Sequence, residues 1–210
     1  MFHTLSIQTG KAGMLPALVH RFSEETLPLR RRHGGAFRGA WTSEFGDLNG
    51  LFVLWEFGSL AELHATAEAQ AHSAEWIAHI RSVGELIDGE QVMLLKPYRP
   101  ITRPADEGRM YDFRIYDIKP FHADEYARLL SEVMPVRERH SRNFGIWTPM
   151  AGNVHSVVHL WPYEDADQRL RVRAAVAAEP QWKEYVGMVF PLLVKQRSSL
   201  LRPVPGLPRV

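Results

Sequence analysis

The sequence predicts an α+β protein built from two tandem β-α-β-β-α-β units, whose sheets pack face to face as the halves of one barrel. Three observations predict it. The second half restates the first at a nearly constant offset, strand and helix periodicities follow the same order in each copy, and each copy has a normal small-domain length. Pro28-Leu-Arg-Arg-Arg-His33 returns as Pro135-Val-Arg-Glu-Arg-His140, an offset of 107. Leu54-Trp55 returns as Leu160-Trp161, Trp76 as Trp182, and Leu94-Leu95-Lys96-Pro97 as Leu200-Leu201-Arg202-Pro203, all at an offset of 106. Phe37, Gly39, Trp41 and Thr42 match Phe144, Gly145, Trp147 and Thr148 once a residue is skipped near Arg38. Trp is rare, so a set of tryptophans in register is hard to obtain by chance. The units are residues 1–99 and 109–204, joined by a Pro- and Gly-containing linker at 100–108 and followed by a tail at 205–210.

The second unit shows the element order most clearly. YDFRIYDI (111–118) alternates large side chains with period two and suits a strand. From His122 to Arg139, Tyr126, Leu129, Leu130 and Val133 recur at spacings of three and four, an amphipathic helix that Pro135 kinks or ends. FGIWT (144–148) is a short strand, Gly152-Asn153 a turn, and HSVVHLW (155–161) the next strand. Asp165 to Ala178 reads as a helix, with a break and restart at Glu179-Pro180-Gln181 because Pro is favoured in a first helical turn. KQRSSLL (195–201) closes the unit as a strand. The first unit repeats this order less cleanly. One such unit makes a four-stranded antiparallel sheet with both helices on one face. Its other face needs a cover, and a tethered second copy supplies one.

Composition narrows the function. The chain has 210 residues, 45% apolar and 23% charged, which is ordinary for a globular protein. A formal charge of +1 gives no broad electrostatic footprint for nucleic acid, so no nucleic-acid partner is expected. The chain contains no cysteine, which removes thiolate metal sites, iron–sulfur clusters and Cys nucleophiles. No apolar run reaches the length of a membrane-spanning helix, and MFHTLSIQTGKAG lacks the regions of a signal peptide. The default expectation is therefore a cytoplasmic protein without membrane insertion. G-x-G-x-x-G, P-loop, G-x-S-x-G and H-E-x-x-H patterns are absent, and no cofactor is expected. Glu164, Asp165 and Asp167 open a helix, where capping and the helix dipole account for them. His155 and His159 lie on a strand, where four residues span about 13 Å, too far for one metal ion to bridge.

YDFRIYDIKP, PVRERH, FGIWT, GNVHSVVHLWPYED, RAAVAAEPQW and LLRP make the second unit closely resemble the NIPSNAP family. LPLRRRHG and GAWTSEFGDLNGLFVLWEF make the first look like a more diverged copy. The resemblance implies the ferredoxin-like dimeric α/β barrel, a fold shared by cofactor-free monooxygenases and haem enzymes. The family has no settled catalytic activity, and its eukaryotic members are associated with mitochondria and vesicle traffic. The first unit departs from the pattern: Thr4 stands for Phe113 and Val53 for His159. Arg114, Tyr116 and His159 are likewise matched by Leu5, Ile7 and Val53, so any site is expected to lean on the second unit.

The candidate ligand-binding residues are Arg114, Tyr116, Trp147, His159, Trp161, Arg137 and His140. Along HSVVHLW, the purely apolar Val158 and Leu160 are expected to meet the helices. Val157, His159 and Trp161 then point between the two sheets. Phe113 and Ile115 should also meet the helices, leaving Asp112, Arg114 and Tyr116 between the sheets. Buried polar groups need partners, so this face is either a self-satisfied network or the wall of a ligand pocket. Burial and the cation beside it should lower the pKa of His159. A neutral His159 is either a proton acceptor or a core residue bonded to Tyr116 or Asp112. His33 and His140, with Arg30, Arg32, Arg137 and Arg139, sit at equivalent helix ends, as caps or as an anion clamp at a barrel mouth.

Three functions stay open at this point. The first is a protein that binds a small apolar or aromatic molecule between its sheets. The others are a cofactor-independent monooxygenase or isomerase acting on a phenolic or polycyclic substrate, and an interaction module without ligand. Homo-oligomerisation through further surfaces is open as well.

Overall fold

The computed structural model describes residues 1–101 and 109–207. Of the linker expected over 100–108, residues 102–108 lie outside the described residues, as do residues 208–210 of the tail expected over 205–210. The chain divides into two compact units, Met1–Leu94 with the segment from Pro203, and Leu95–Arg202. Among the described residues no helix is long and apolar enough to cross a membrane.

The first unit runs β1 (Phe2–Gly10), α1 (Leu15–Arg21), a π-helical turn (Phe22–Thr26), α2 (Leu27–Arg31), β2 (Ala36–Phe45), β3 (Gly50–Phe57), α3 (Leu60–Ala71), α4 (Ala74–Gly84) and the start of β4 (Ile87–Pro97). Both β1 and β2 pair antiparallel with β3. The residue skipped in the repeat is a structural irregularity: the β2 ladder shifts register between Phe37 and Gly39, a bulge that holds Arg38. Ser59 and Ser73 cap α3 and α4 by accepting from the Glu62 and Trp76 amides. At the far end of the chain, the Val204 amide donates to the Ala40 carbonyl at 2.9 Å.

The second unit takes up the last residues of β4, where Leu95–Pro97 pair with β6 (Gly145–Pro149). It continues with β5 (Met110–Ile118), α5 (Ala123–Glu132), α6 (Met134–Arg137), β7 (Ser156–Tyr163), α7 (Ala166–Ala178), α8 (Pro180–Val189) and β8 (Leu193–Pro203). The strand order is β8-β5-β7-β6, antiparallel throughout. The helix expected over 122–139 breaks at Val133, and Pro135 sits in the first turn of α6. Asp165 caps α7 through the Gln168 amide at 2.7 Å, and α8 starts at Pro180.

The grouping of side chains by face is as the alternation requires, but the facing is reversed. Asp112, Arg114 and Tyr116 stand opposite Trp161, His159 and Val157. Tyr116, Val157 and Trp161 pack with Tyr126, Leu130, Tyr185 and Val189, which come from α5 and α8. The polar row therefore faces the helices, and Phe113, Val158 and Leu160 are buried on the opposite face. The physical reason is the character of the helices. They carry Tyr126, Arg169 and Tyr185 inward, so a polar strand face finds partners beneath them.

A cavity between sheet and helices of the second unit

The reversed face brings Arg114 and Tyr116 of β5, and His159 and Trp161 of β7, to one wall of a cavity of about 310 Å³. Gln196 of β8 joins them from the neighbouring strand. The opposite wall is Tyr126 and Leu130 of α5, Val176 of α7, and Trp182, Tyr185 and Val189 of α8. The helices thus contribute mostly ring and methyl surface, and the sheet contributes the hydrogen-bonding groups.

Asp112, fully buried, anchors the polar row. It accepts from Arg114 at 2.7 Å, from Arg169 Nε of α7 at 2.6 Å and from Ser198 Oγ of β8 at 2.6 Å. Burial by itself would raise its pKa, but these bonds and the Arg114 charge pull it down to about 2. Burial pushes the Arg114 guanidinium the other way, and the Asp112 bond outweighs it, so Arg114 stays charged. Arg114 also donates to the Tyr116 hydroxyl at 3.1 Å, while its Nε is buried without a partner among the described residues.

His159 is 2% exposed. The Trp161 indole Nε1–H donates to its Nδ1 at 2.6 Å, and the Tyr116 ring meets it edge-on with centroids 4.7 Å apart. An imidazole that accepts at Nδ1 carries its proton on Nε2 when neutral. That Nε2 is buried and has no partner among the described residues. Desolvation first, and Arg114 second, hold its pKa well below the usual histidine range. The lowered pKa follows the sequence reading; the partner is Trp161 rather than Tyr116 or Asp112. The free nitrogen is consequently a donor, which leaves the core-residue reading of the two the sequence had open and removes the proton acceptor.

Arg137 lies 4.3 Å above the Trp161 ring and donates to the Tyr163 hydroxyl and the Ser141 carbonyl. Its counterpart Arg30 does much the same in the first unit, 4.7 Å above Trp55 and bonded to the Gly34 carbonyl. Burial pushes the Arg30 pKa down to about 10. Arginine over tryptophan is therefore a device of both copies. Arg32 pairs with Glu75 of α4 and Arg139 with Glu179 at the start of α8, so these guanidiniums tie one helix end to another helix and form no clamp. His140 bonds Glu179 at 2.7 Å and does not line the cavity. Trp147 stands opposite Val158, on the other face of the sheet. Five of the seven candidates meet at the cavity: Arg114, Tyr116, Arg137, His159 and Trp161.

The first unit lacks this polar set. The ladder places Thr4, Ser6 and Gln8 opposite Trp55, Val53 and Leu51, where the second unit has Asp112, Arg114 and Tyr116. The match of Thr4 with Phe113, and of Leu5 and Ile7 with Arg114 and Tyr116, is thus one residue out, a slip that exchanges the two faces. Ser6 and Gln8 both donate to Glu90, and Val53 packs in an apolar cluster with Phe37 and Trp55.

The sequence reading missed Tyr126, Trp182 and Tyr185 as cavity walls, and Arg169 and Ser198 as partners of Asp112. Trp182 had a signal, its repeat at Trp76; Arg169 and Ser198 had none, being 57 and 86 residues from Asp112.

The fold is similar to that of a proposed monooxygenase from Lactobacillus acidophilus, with a TM-score of 0.67 over 97% of this chain and 93% of the other. At 11% identity, that likeness is one of fold. A NipSnap homologue of Dictyostelium discoideum is 25% identical over 183 residues, 84% of this chain and 78% of its own length. Drosophila melanogaster NipSnap is 22% identical over 167 residues, 78% of this chain and 61% of the fly protein, so the chain spans about three fifths of that relative. The NIPSNAP family model matches residues 3–100 and again 111–208, and the chain belongs to the NIPSNAP family as two units in tandem.

Proposed function

We propose that the second unit binds a small aromatic molecule carrying an oxygen acceptor, held between its sheet and its helices. The observation that carries this reading is His159 Nε2, an N–H donor buried without a partner on a cavity wall. A stranded buried donor costs about 1–3 kcal/mol, and a ligand oxygen removes that cost. The rings of Trp182, Tyr185 and Tyr126 suit a flat aromatic partner, which gains most from offset or edge contacts. Binding is favoured over base catalysis because the Trp161 bond occupies the one lone pair of the neutral imidazole.

The test uses 2-acetylnaphthalene and naphthalene, followed by calorimetry and by side-chain NMR of His159 and Trp161. The ketone should bind about tenfold more tightly, in line with one hydrogen bond to a buried donor, and His159→Phe should abolish the difference. No binding of either compound, or equal binding to the parent protein, overturns the reading.

The monooxygenase fold-likeness supports a second reading, oxidation of a bound phenol without a cofactor. Oxygen uptake on adding 1-naphthol, lost in Arg114→Gln, is its measurement.

A further inference from the structure

The charges around the cavity do not balance. Asp112 is shared by two guanidiniums, Arg114 and Arg169. Arg137 is buried and bonds only neutral oxygens, those of Tyr163 and Ser141, with no carboxylate among the described residues in ion-pair reach. Three guanidiniums thus stand against one carboxylate in and beside the cavity, Arg114 and Arg137 on its wall and Arg169 behind it on Asp112. The exposed Arg173 stands on its rim, and among the described residues no acidic side chain lines it. Uncompensated charge in a poorly solvated site is costly, and a bound counter-ion is the direct remedy.

The free hydrogen-bonding capacity points the same way. Arg114 and His159 stand directly opposite in the β5–β7 ladder. Each has a buried nitrogen without a partner, Nε of Arg114 and Nε2 of His159. Both are donors: a guanidinium cannot accept, and the imidazole has its acceptor nitrogen filled by Trp161. Two unpartnered donors on facing residues of the ladder, with surplus positive charge, fit an ionised oxygen better than a neutral carbonyl, because charge-assisted bonds are roughly twice as strong. Arg137 cannot be the discriminating group, since Arg30 repeats its position in the first unit. Arg114 can, since the first unit has Ser6 there.

We propose, resting on the aromatic-ligand reading above, that the cavity selects an aromatic acid whose carboxylate or phenolate oxygen accepts from Arg114 Nε and His159 Nε2. The aromatic rings lie against Trp182 and Tyr185, and Arg173 draws the anion to the entrance.

The experiment compares 2-naphthoate with 2-acetylnaphthalene, which have the same rings and differ in charge, by calorimetry at neutral pH on the full chain. Naphthoate should bind at least tenfold more tightly, and its advantage should shrink as salt is raised. Arg114→Gln should bring the two affinities within about twofold. Arg173→Gln, an exposed change that leaves the buried network intact, should weaken naphthoate alone by two- to threefold. Equal affinities for the two compounds, or a preference for the ketone, overturn the anion proposal and leave aromatic binding standing. Binding of neither overturns both.

Discussion

The Trp161 indole N–H points at His159 Nδ1 from 2.6 Å, with the two rings nearly perpendicular at 88°. The pair are two residues apart on one strand, side by side on the same face. This bond fixes which nitrogen of the imidazole carries the proton, and so decides that the cavity is offered a donor.

His159 should not titrate across the neutral range. Its pKa is depressed in the folded state, so protonation favours the unfolded chain, and its contribution to stability is full above about pH 6.5 and lost as pH falls. Nitrogen-15 imidazole spectra should show one neutral form, protonated at Nε2, with no titration across the neutral range. A freely titrating imidazole would place this side chain in water.

Replacing His159 with Phe keeps a ring but leaves the Trp161 N–H without its acceptor. The expected loss is about 1–3 kcal/mol in denaturant unfolding. A double change with Trp161→Phe should recover part of it, since both partners then leave together.

Asp112 sets the acid limit of the second unit. With its pKa drawn from 3.8 to about 2, its contribution is complete above about pH 4 and disappears as pH falls toward 2. That depression corresponds to about 2 kcal/mol. Asp112→Asn should flatten the fall of thermal stability in this window. It should also lower stability at neutral pH by leaving Arg114 and Arg169 without their counter-charge. An unchanged acid profile would separate Asp112 from this role.

Gly145 has no room for a methyl group. A Cβ there would lie 2.3 Å from the Trp147 ring, and one at Gly39 would lie 2.5 Å from Trp41 in the other unit. Gly145→Ala should cost about 1–3 kcal/mol by overpacking, read by thermal unfolding. In Gly145→Ala/Trp147→Phe, the smaller ring should offset part of that cost.

Much of the architecture was legible because it is written twice. The paired tryptophans and prolines set the repeat, and the residue skipped at Arg38 is the bulge in β2. The face shared by Asp112, Arg114 and Tyr116 followed from strand alternation. Which way that face points did not, because it depends on helix residues such as Arg169 and Tyr185 that are remote in sequence. Apolar Val158 and Leu160 looked like the helix-facing pair only on the premise that helices offer no polar partner. The alignment of β1 with β5 slipped by one residue because neither strand holds a Trp or Pro to fix it. Gathering Arg114, His159 and Trp161 needed only the sequence; the lone pair that Trp161 takes from His159 needed atomic positions.

The substitution of Ser6 and Val53 for Arg114 and His159 has a consequence for stoichiometry. Two identical subunits would carry the same residues twice and saturate with two equivalents. Here the first copy retains the arginine-over-tryptophan scaffold while the donors at the ladder's centre are gone. Saturation should therefore require one equivalent per chain, along a simple hyperbola, with no second binding event for the first to influence.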